Sequence, residues 1–273
     1  LYLSAFRYLS SDDFLVLTAI EIGMRNHEIV PVTLIESIAK IKRVNTNKTI
    51  ANLLKYKLIE HSNIKYDGYS LNFIGYDYLA IHSLTKRGVL KRIGPKLGVG
   101  KESDVYICWV DPLAGKGNEL PEEELKKLQN EMILDFLKNN KEESDEENEE
   151  NTNTIKEEKK HFEIIPMNLE NEENMRFDEE IIINDIKCKI AVIKLARLGR
   201  TSFRAVKSKR DYVKNKSHYN WLYLSRVSAT NEFKYLVGLY NKGFSVPIPY
   251  DQNRHAILMD YIPSYPLSRI EDL

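Results

Sequence analysis

Two glycines followed by an alternating apolar run could form a phosphate-binding turn. The stretch from Leu97 to Tyr106 reads LGVGKESDVY, with Gly98 and Gly100 two residues apart. Glycine lets the backbone approach a ligand closely, and successive N–H groups in such a turn can contact an anion. An ordinary β-hairpin turn would account for the same residues. The stretch therefore predicts a phosphate site only if the other parts of such a site follow in the chain.

Two known phosphate-loop patterns can be compared with this turn. The P-loop pattern requires a glycine where Pro95 stands and a serine or threonine where Glu102 stands, so it fails at two positions. The protein-kinase pattern G-x-G-x-x-G-x-V fits at both glycines and at Val105, and Ser103 replaces the third glycine. The turn is therefore closer to a kinase glycine loop, with a serine hydroxyl placed beside the phosphate.

Three later segments have the composition of the other parts of a kinase nucleotide site. Lys194 lies in the apolar run IAVIK, where a lysine is costly unless its ammonium meets an anion; an edge strand could also lead it to solvent. A helical pattern from Ser225 to Tyr240 places Glu232 beside its apolar face, and Gly243 follows as a stop signal. An apolar strand then runs from Ala256 to Ile262. The order of these parts favours nucleotide binding.

The combined segments resemble the RIO atypical serine/threonine protein kinases, in the second subfamily, which carries an N-terminal winged helix. The resemblance rests on GVGKESDVY, IKLARLGRTSFR and SATNEFKYLVGLYNKGFSVPIPYDQNRHAILMDYI, and it covers nearly the whole chain outside one acidic insert. It implies an α+β fold with a winged helix-turn-helix at residues 1–74 and a connecting helix at 75–92. A kinase N-lobe and hinge, built from an antiparallel sheet plus helix C, would occupy residues 93–273.

The resemblance also implies roles for individual residues. Lys194 would contact the α- and β-phosphates of ATP, and Glu232 would orient Lys194. Met259 would be the gatekeeper, followed by the hinge that hydrogen-bonds adenine, while Ala191 and Ile193 join the apolar adenine pocket. The nucleotide-binding residues expected on this basis are Gly98, Gly100, Lys101, Ser103, Val105, Lys194, Glu232, Met259, Asp260, Tyr261 and Ile262.

A basic segment surrounds and follows the strand lysine. Residues from Lys187 to Lys216 include eleven Lys or Arg against one acid, Asp211. The resemblance makes the part after the strand a flexible loop near the γ-phosphate. Candidate autophosphorylation sites in it are Thr201, Ser202 and Ser208, although a solvated connector explains these hydroxyls equally well.

The first 74 residues have the pattern of a winged helix-turn-helix. Apolar spacing predicts helices from Asp13 to about Met24, after Pro31, and from Thr46 or Asn45. The turn from Tyr66 to Tyr69 predicts a hairpin wing. A helix from Gly75 to Lys86 is expected to follow.

This part of the chain is basic. From Lys40 to Lys101 there are thirteen basic residues and three acidic ones, an excess that suits a phosphate backbone. Winged helices also bind proteins, and lysines on solvated faces are common, so the charge alone leaves the partner open. The resemblance favours ribosomal RNA. The expected nucleic-acid contacts on the third helix are Asn47, Lys48, Asn52 and Lys55.

An acidic insert is expected at about residues 112–185. The stretch from Lys141 to Glu150 holds seven acids and one lysine, a composition that cannot bury enough apolar surface to become ordered. Helical spacing of apolar residues predicts a short amphipathic helix from Glu122 to Asn139. We hypothesise that the insert folds back on the basic surfaces and tunes RNA access. Unchanged RNA affinity at low salt after deletion of residues 141–160 would contradict this hypothesis.

Parts of a kinase are missing from the sequence. No H-x-D-x-x-x-x-N-like catalytic loop and no later metal-binding aspartate follow Ile262. We therefore expect the chain to belong to a longer serine/threonine kinase or ATPase, with the catalytic aspartate, the metal ligands and the C-lobe absent here. The chain alone would then be inactive. ATP and Mg²⁺ are the cofactors that the resemblance implies.

The resemblance further implies a role in late maturation of the small ribosomal subunit, with pre-40S particles and ribosomal RNA as partners. It implies a cytoplasmic monomer and leaves shuttling through the nucleus open. No apolar run of 18 residues is present, so no membrane span is predicted. Two alternatives stay open: a nucleic-acid-binding adaptor with a non-catalytic kinase-like lobe, and a DNA-binding regulator that uses the winged helix alone.

Overall fold

The computed structural model describes residues 3–41, 46–114, 163–164, 180–199 and 220–264. The chain divides into two compact units, one formed by Leu1–Ala114 with Phe162–Leu273 and the other by Gly115–His161. The second unit lies outside the described residues, together with the predicted helix at 122–139 and the acidic run at 141–150. Those predictions stay predictions.

The N-terminal part consists of three helices and a two-stranded wing, as the sequence predicts. Helix α1 begins before the predicted Asp13 because Ser10 caps it in a reciprocal capping box: the Asp13 N–H donates to Ser10 Oγ at 3.3 Å, and the Ser10 N–H donates to the Asp13 carboxylate at 2.8 Å. The elements, after a short 3-10 helix at Phe6–Tyr8, are α1 (Ser11–Gly23), α2 (Val32–Ala39), α3 (Thr46–Lys55), and the antiparallel strands β1 (Ile59–Ser62) and β2 (Gly68–Leu71).

Helix α4 (Phe73–Lys86) connects this part to a sheet. It begins two residues before the predicted Gly75 because the side chain of Asn72 caps it, accepting the Gly75 N–H at 3.0 Å. The connecting segment predicted to reach residue 92 is shorter, since the next strand starts at Leu90. Most of α4 is buried, so it packs on both the N-terminal helices and the sheet.

After α4, the described residues form a seven-stranded sheet and one long helix. The strands follow the order β5-β3-β4-β7-β9-β8, and β6 pairs with the first half of β7. Their pairing is antiparallel except for the short β3–β5 contact. The arrangement confirms an α+β fold with an N-terminal helical domain and an antiparallel sheet. The elements are β3 (Leu90–Val99), β4 (Ser103–Val110), β5 (Glu163–Ile164), β6 (Glu180–Ile183), β7 (Ile186–Ala196), α5 (Trp221–Asn241), β8 (Pro249–Asn253) and β9 (Ala256–Asp260).

The predicted insert ends too late in the sequence. Besides β5, which pairs with β3, the predicted bounds of the insert include β6, which starts at Glu180 and pairs with β7 through a turn at Asn184 and Asp185, both with positive φ. Three consecutive isoleucines give β6 its strand character. The acidic residues around them concealed this strand in the sequence.

Side-chain alternation gives the sheet two different faces. In β7, the odd-numbered residues Ala191, Ile193 and Leu195 join a core that also contains residues of α1, α3 and α4. We call this the back face. Even-numbered residues point to the opposite, front face, where Ala196 packs against Ala229 of α5. The N-terminal helices and the sheet therefore share one core behind the sheet. None of the helices in the described ranges has the length and hydropathy of a membrane span.

Candidate nucleotide-binding site

A strand lysine and a helix glutamate form an ion pair on the front face. Lys194 of β7 lies opposite Val105 of β4 and Ile257 of β9. Its Nζ is 2.5 Å from Glu232 Oε1, and the two side chains are 27% and 40% exposed. An ion pair this open to water contributes little to stability because solvent screens it. Its main consequence is that Glu232 holds the Lys194 ammonium in one place while a ligand can still reach it.

Helix α5 sets the position of Glu232. Ala229 and Phe233, three residues before and one residue after Glu232, pack against apolar side chains of β7 and β9. This packing fixes the rotation of the helix about its axis, so Glu232 lies at the edge of the buried stripe. Gly243, with a φ of 76°, ends the helix as predicted.

The predicted glycine turn is a tight hairpin between β3 and β4. Gly98 pairs with Val105, and the Gly100 N–H donates to the Ser103 carbonyl at 2.7 Å. Neither glycine has a positive φ, so the backbone conformation itself does not require glycine. At Gly100 an added Cβ would lie 3.3 Å from Ser103 Oγ, whereas at Gly98 it would meet nothing within 4 Å. Gly98 therefore faces open space, and Lys101 is exposed at the tip of the turn.

Strand alternation corrects two of the predicted adenine contacts. Val105 lies opposite Lys194 and shares its face, as expected. Ala191 and Ile193 lie three residues and one residue from Lys194, so they point to the back face and are buried in the shared core. Val192, two residues from Lys194, takes their place on the front face.

The predicted hinge divides in the same way. Met259 lies opposite Val192 on the front face. The Asp260 side chain points to the back, where its carboxylate is 3.1 Å from Lys189 Nζ and accepts a hydrogen bond from Tyr250 OH at 3.2 Å. The Asp260 N–H donates to the Ile248 carbonyl at 2.9 Å. The Asp260 carboxylate and N–H are therefore both engaged within the protein, and the hinge contact expected from the backbone of Asp260 stays a prediction.

The last two hinge residues have different surroundings. Tyr261 packs against a front-face cluster that contains Ile107, Trp109 and Ile190. Ile262 is about half exposed. The positions of both residues are compatible with the predicted hinge.

The predicted nucleic-acid residues on α3 do not form one exposed face. Asn47, Lys48 and Lys55 are exposed. Asn52 is half-buried, and its Nδ2 donates to Asp13 Oδ1 of α1 at 3.1 Å. Asn52 thus supplies a hydrogen bond to a buried carboxylate, which corrects its predicted outward orientation. The candidate phosphorylation sites Thr201, Ser202 and Ser208 lie outside the described residues.

Comparisons with known proteins agree with this arrangement. Residues 6–87 match the family described as Rio2, N-terminal, and residues 180–273 match the RIO domain. The chain is 37% identical over 269 residues to the serine/threonine-protein kinase rio2 of Dictyostelium discoideum, covering 98% of this chain and 37% of that protein. It is 34% identical over 274 residues to the Schizosaccharomyces pombe protein of the same name, covering 100% and 58%. The chain belongs to the Rio2 family of serine/threonine-protein kinases.

Solved Rio2 structures show the same fold. The Rio2 kinase of Chaetomium thermophilum aligns with a TM-score of 0.60 at 32% identity, covering 99% of this chain and 57% of that one. A Rio2 kinase–ADP/Mg²⁺–phosphoaspartate complex from the same organism aligns with a TM-score of 0.62 at 32% identity, covering 100% and 59%. The chain thus spans between 37% and 59% of the length of these relatives.

Behind the glycine hairpin, this Rio2-family chain contains a buried charged cluster that the sequence reasoning missed. Arg197 donates from Nη1 and Nη2 to the two oxygens of Asp77 of α4, at 2.6 and 2.7 Å. Its Nε donates to Asp104 Oδ2 at 3.1 Å, and His255 Nε2 lies 2.8 Å from Asp77 Oδ1. All four residues are buried. The available signal was Asp104, a carboxylate at a back-face position of an otherwise apolar strand.

Burial and charge set the protonation states in this cluster. Burial lowers the pKa of His255 despite its contact with Asp77, so the ring is neutral and its Nε2–H donates to that carboxylate. Burial opposes the charged form of Asp77, but hydrogen bonds from His255 and Arg197 outweigh it and hold the pKa of Asp77 below its usual value. Burial likewise opposes the Arg197 charge, but Asp77 and Asp104 raise the pKa of the guanidinium. Arg197 and Asp77 therefore form a charged pair that is joined by two hydrogen bonds.

Proposed function

We propose that the whole protein is an ATP-dependent serine/threonine protein kinase or ATPase, to which this chain contributes the glycine hairpin and Lys194. The Lys194–Glu232 pair carries the proposal, because it lies on the face of the sheet that also presents Val105. The names of the Rio2 relatives and the ADP/Mg²⁺ complex of the Chaetomium protein support it.

The residues on the front face fit ATP. Lys194 would bind the α- and β-phosphates, and the backbone around Gly98 with the Ser103 hydroxyl would bind phosphate oxygens, supported by Lys101. The base would lie against Val105, Val192 and Met259, which share one face. When bound, ATP with Mg²⁺ supplies the phosphoryl group for transfer and the metal charge that neutralises it.

Glu232 gives Lys194 a defined position before any ligand arrives. A free lysine side chain loses up to about 2 kcal/mol of rotamer entropy when it is fixed. The ion pair with Glu232 removes part of that entropy cost before the ligand arrives. More of the attraction between Lys194 and phosphate therefore contributes to the net binding free energy. Positioned charge of this kind is the main protein contribution to phosphoryl transfer.

Among the residues that the structure describes, this surface presents no candidate metal-binding group of the kind that phosphoryl transfer requires. In the described ranges, no group of three or more His, Cys, Asp or Glu side chains is arranged to hold a metal ion. The expectation that the catalytic aspartate, the Mg²⁺ ligands and a C-lobe lie outside this chain stays a prediction. So does the expectation that the chain alone is inactive.

The test is Lys194→Ala in the whole protein. We expect ATP turnover to fall by about 100-fold or more, the usual effect of removing a group that stabilises transition-state charge. Lys187→Ala is the matched control, because Lys187 lies in the same strand and forms an exposed pair with Glu180 at 2.6 Å. Unchanged turnover in Lys194→Ala would instead favour the adaptor with a non-catalytic lobe.

We further propose that the protein acts as a cytoplasmic monomer in late small-subunit maturation and binds ribosomal RNA through α3. The exposed side chains of Asn47, Lys48 and Lys55 support an RNA contact. In the whole protein, Lys48→Ala with Lys55→Ala should lower the slope of log affinity against log salt by roughly 0.7 to 0.9 per lysine. Lys65→Ala, which removes an exposed partner of Glu28, is the control. Tighter binding to one duplex DNA sequence than to rRNA would favour the DNA-binding alternative.

A further inference from the structure

We propose that Arg197 and Asp104 are positioning residues for the nucleotide site, joining the base of the glycine hairpin and the Lys194 strand to helix α4. The inference rests on the proposed ATP site and adds residues that never touch the nucleotide. It makes the N-terminal domain, through α4, part of the framework that determines where the glycine hairpin lies.

Arg197 holds the hairpin at its base. Asp104 directly follows Ser103, and its Oδ2 accepts a hydrogen bond from Arg197 Nε at 3.1 Å. The Arg197 backbone N–H donates to the carbonyl of Glu102 at 2.7 Å. By contrast, the backbone around Gly98 faces open space. Arg197 thus adds a side-chain and a backbone hydrogen bond at the base of the hairpin, beyond the pairing of β4 with β7, while the glycine segment is left accessible.

The same guanidinium extends to α4. Two parallel hydrogen bonds connect it to Asp77, which also accepts from His255. The His255 ring stacks on Tyr76 of α4 at 4.4 Å between centroids, with 15° between the planes. Arg197 thus uses the planar fork of donors that lysine lacks, with Nη1 and Nη2 directed to α4 and Nε directed to the hairpin.

The arrangement specifies geometry more than it adds stability. Burying charges has a large desolvation cost, and apolar residues of similar volume often stabilise a fold as well or better. An apolar contact would hold α4 against the sheet without fixing the distance and direction of the hairpin base. Directed hydrogen bonds to Asp77 and Asp104 do fix them.

Two other ion pairs join the N-terminal part to the sheet and provide controls. Arg254 binds Glu21 of α1 at 2.7 Å, and Arg87 binds Asp251 of β8 at 2.9 Å. Both pairs end on the β8–β9 hairpin and do not contact the glycine hairpin. If joining the two parts of the molecule were all that mattered, disrupting Arg87–Asp251 would affect ADP binding as much as disrupting the Arg197 cluster that joins Asp77 of α4 to Asp104 of β4.

The experiment compares the affinity of the whole protein for ADP with Mg²⁺ among variants, at a temperature where circular dichroism shows each to be folded. Asp104→Ala should weaken ADP binding about tenfold, since a hydrogen bond to a charged group accounts for roughly that factor. Asp104→Asn keeps an acceptor oxygen for Arg197 Nε and should stay within about threefold of the unsubstituted protein. Asp251→Ala should change ADP affinity less than about twofold, although it removes the Arg87 ion pair.

The outcomes separate this inference from the proposed function. If Asp104→Ala is less stable but binds ADP as well as the unsubstituted protein, the cluster only stabilises the fold and the inference is wrong. Equal ADP affinity of the unsubstituted protein and Lys194→Ala would instead refute the ATP site itself. Should Asp104→Ala fail to fold, Asp104→Leu fills the same space without an acceptor. Normal ADP affinity in that folded variant would also overturn the inference.

Discussion

Two cations three residues apart, Lys194 and Arg197, have opposite environments. Lys194 is 27% exposed on the front face and contacts one half-open carboxylate. Arg197 is 5% exposed, and its guanidinium contacts two buried carboxylates. The first cation can exchange or share its partner with an incoming anion. The second has no comparable freedom, because releasing either carboxylate would leave a buried charge without compensation.

The comparison extends to the two faces of the sheet. Behind the sheet, side chains of β7 share a core with the N-terminal helices, while in front the ion pair and the glycine hairpin remain accessible to solvent. Strand β7 therefore carries the proposed phosphate-binding Lys194 at an even position, and the anchor Arg197 occupies the odd position just after its end. A nucleotide site can stay open on one side of a sheet when the other side is firmly packed.

The largest expected difference between the two cations is in stability. Arg197→Met should lower the free energy of unfolding by about 3 to 5 kcal/mol, the usual cost of removing one partner of a buried ion pair. Lys194→Met, which removes a half-exposed pair, should change it by less than about 1 kcal/mol. Urea unfolding followed by circular dichroism measures both.

Arg197→Lys refines this prediction. It keeps the charge but loses the forked hydrogen bonds, so its unfolding free energy should lie between those of Arg197→Met and the unsubstituted protein. Equal losses for Arg197→Met and Lys194→Met would contradict the contrast between the two sites.

The next expected difference concerns apolar residues on the two faces. Ile193→Ala creates a cavity in the shared core and should cost about 2 to 5 kcal/mol of stability. Val105→Ala removes a half-buried side chain, and about 1 kcal/mol or less is expected. ADP affinity should follow the reverse order, with Val105→Ala weakening it more. A larger loss of ADP affinity in Ile193→Ala than in Val105→Ala would show that Ile193 belongs to the adenine pocket.

Much of the fold could be predicted because local patterns coincide with the final structure. Helical periodicity and a stop glycine located α5 and Glu232, and an apolar strand located Lys194. Their contact at 2.5 Å confirms the predicted pairing. The glycine hairpin followed from spacing in the same way.

The parts that could not be predicted depend on which side of an element faces the core. Ala191 and Ile193 are apolar, as a pocket for the base requires. Both lie an odd number of residues from Lys194 in β7, so their side chains point to the back face. Asn52 looks like a polar surface residue until α1 brings Asp13 against it. The Arg197 cluster joins residues up to 178 positions apart, so no local pattern could indicate it.

A half-buried histidine behind the sheet should also make the free energy of unfolding depend on pH. His82 of α4 stacks on Phe14 of α1 at 3.8 Å, and burial, together with the charges of Lys86 and Arg254, lowers its pKa to about 4 from 6.5. The unfolded chain therefore binds a proton first as pH falls. Stability from this group is complete above pH 6.5 and is lost between 6.5 and about 4, by roughly 1 to 2 kcal/mol after allowance for solvent.

His82→Phe isolates this effect. Phenylalanine keeps an aromatic ring against Phe14 but cannot bind a proton, so the decline in stability between pH 6.5 and 4 should become shallower. A remaining decline is expected from His255, whose pKa burial also lowers. Urea unfolding at several pH values provides the measurement. An identical pH dependence in both proteins would exclude His82 as a cause.

The smallest expected difference lies within α3, between two neighbouring polar residues that the sequence placed on the same face. Asn52→Ala should cost about 1 kcal/mol, because the buried Asp13 carboxylate loses a donor at 3.1 Å. Lys48→Ala should change stability by less than about 0.5 kcal/mol, since its side chain is exposed. Asn52→Asp is the sharper test, because it places a second carboxylate beside Asp13 and should lower stability more than Asn52→Ala.

If both Asn52 variants unfold like the unsubstituted protein yet bind RNA less well, Asn52 is a surface contact and not a structural one. RNA affinity reduced by Lys48→Ala alone would show that α3 uses one side to hold the fold and another to bind its partner.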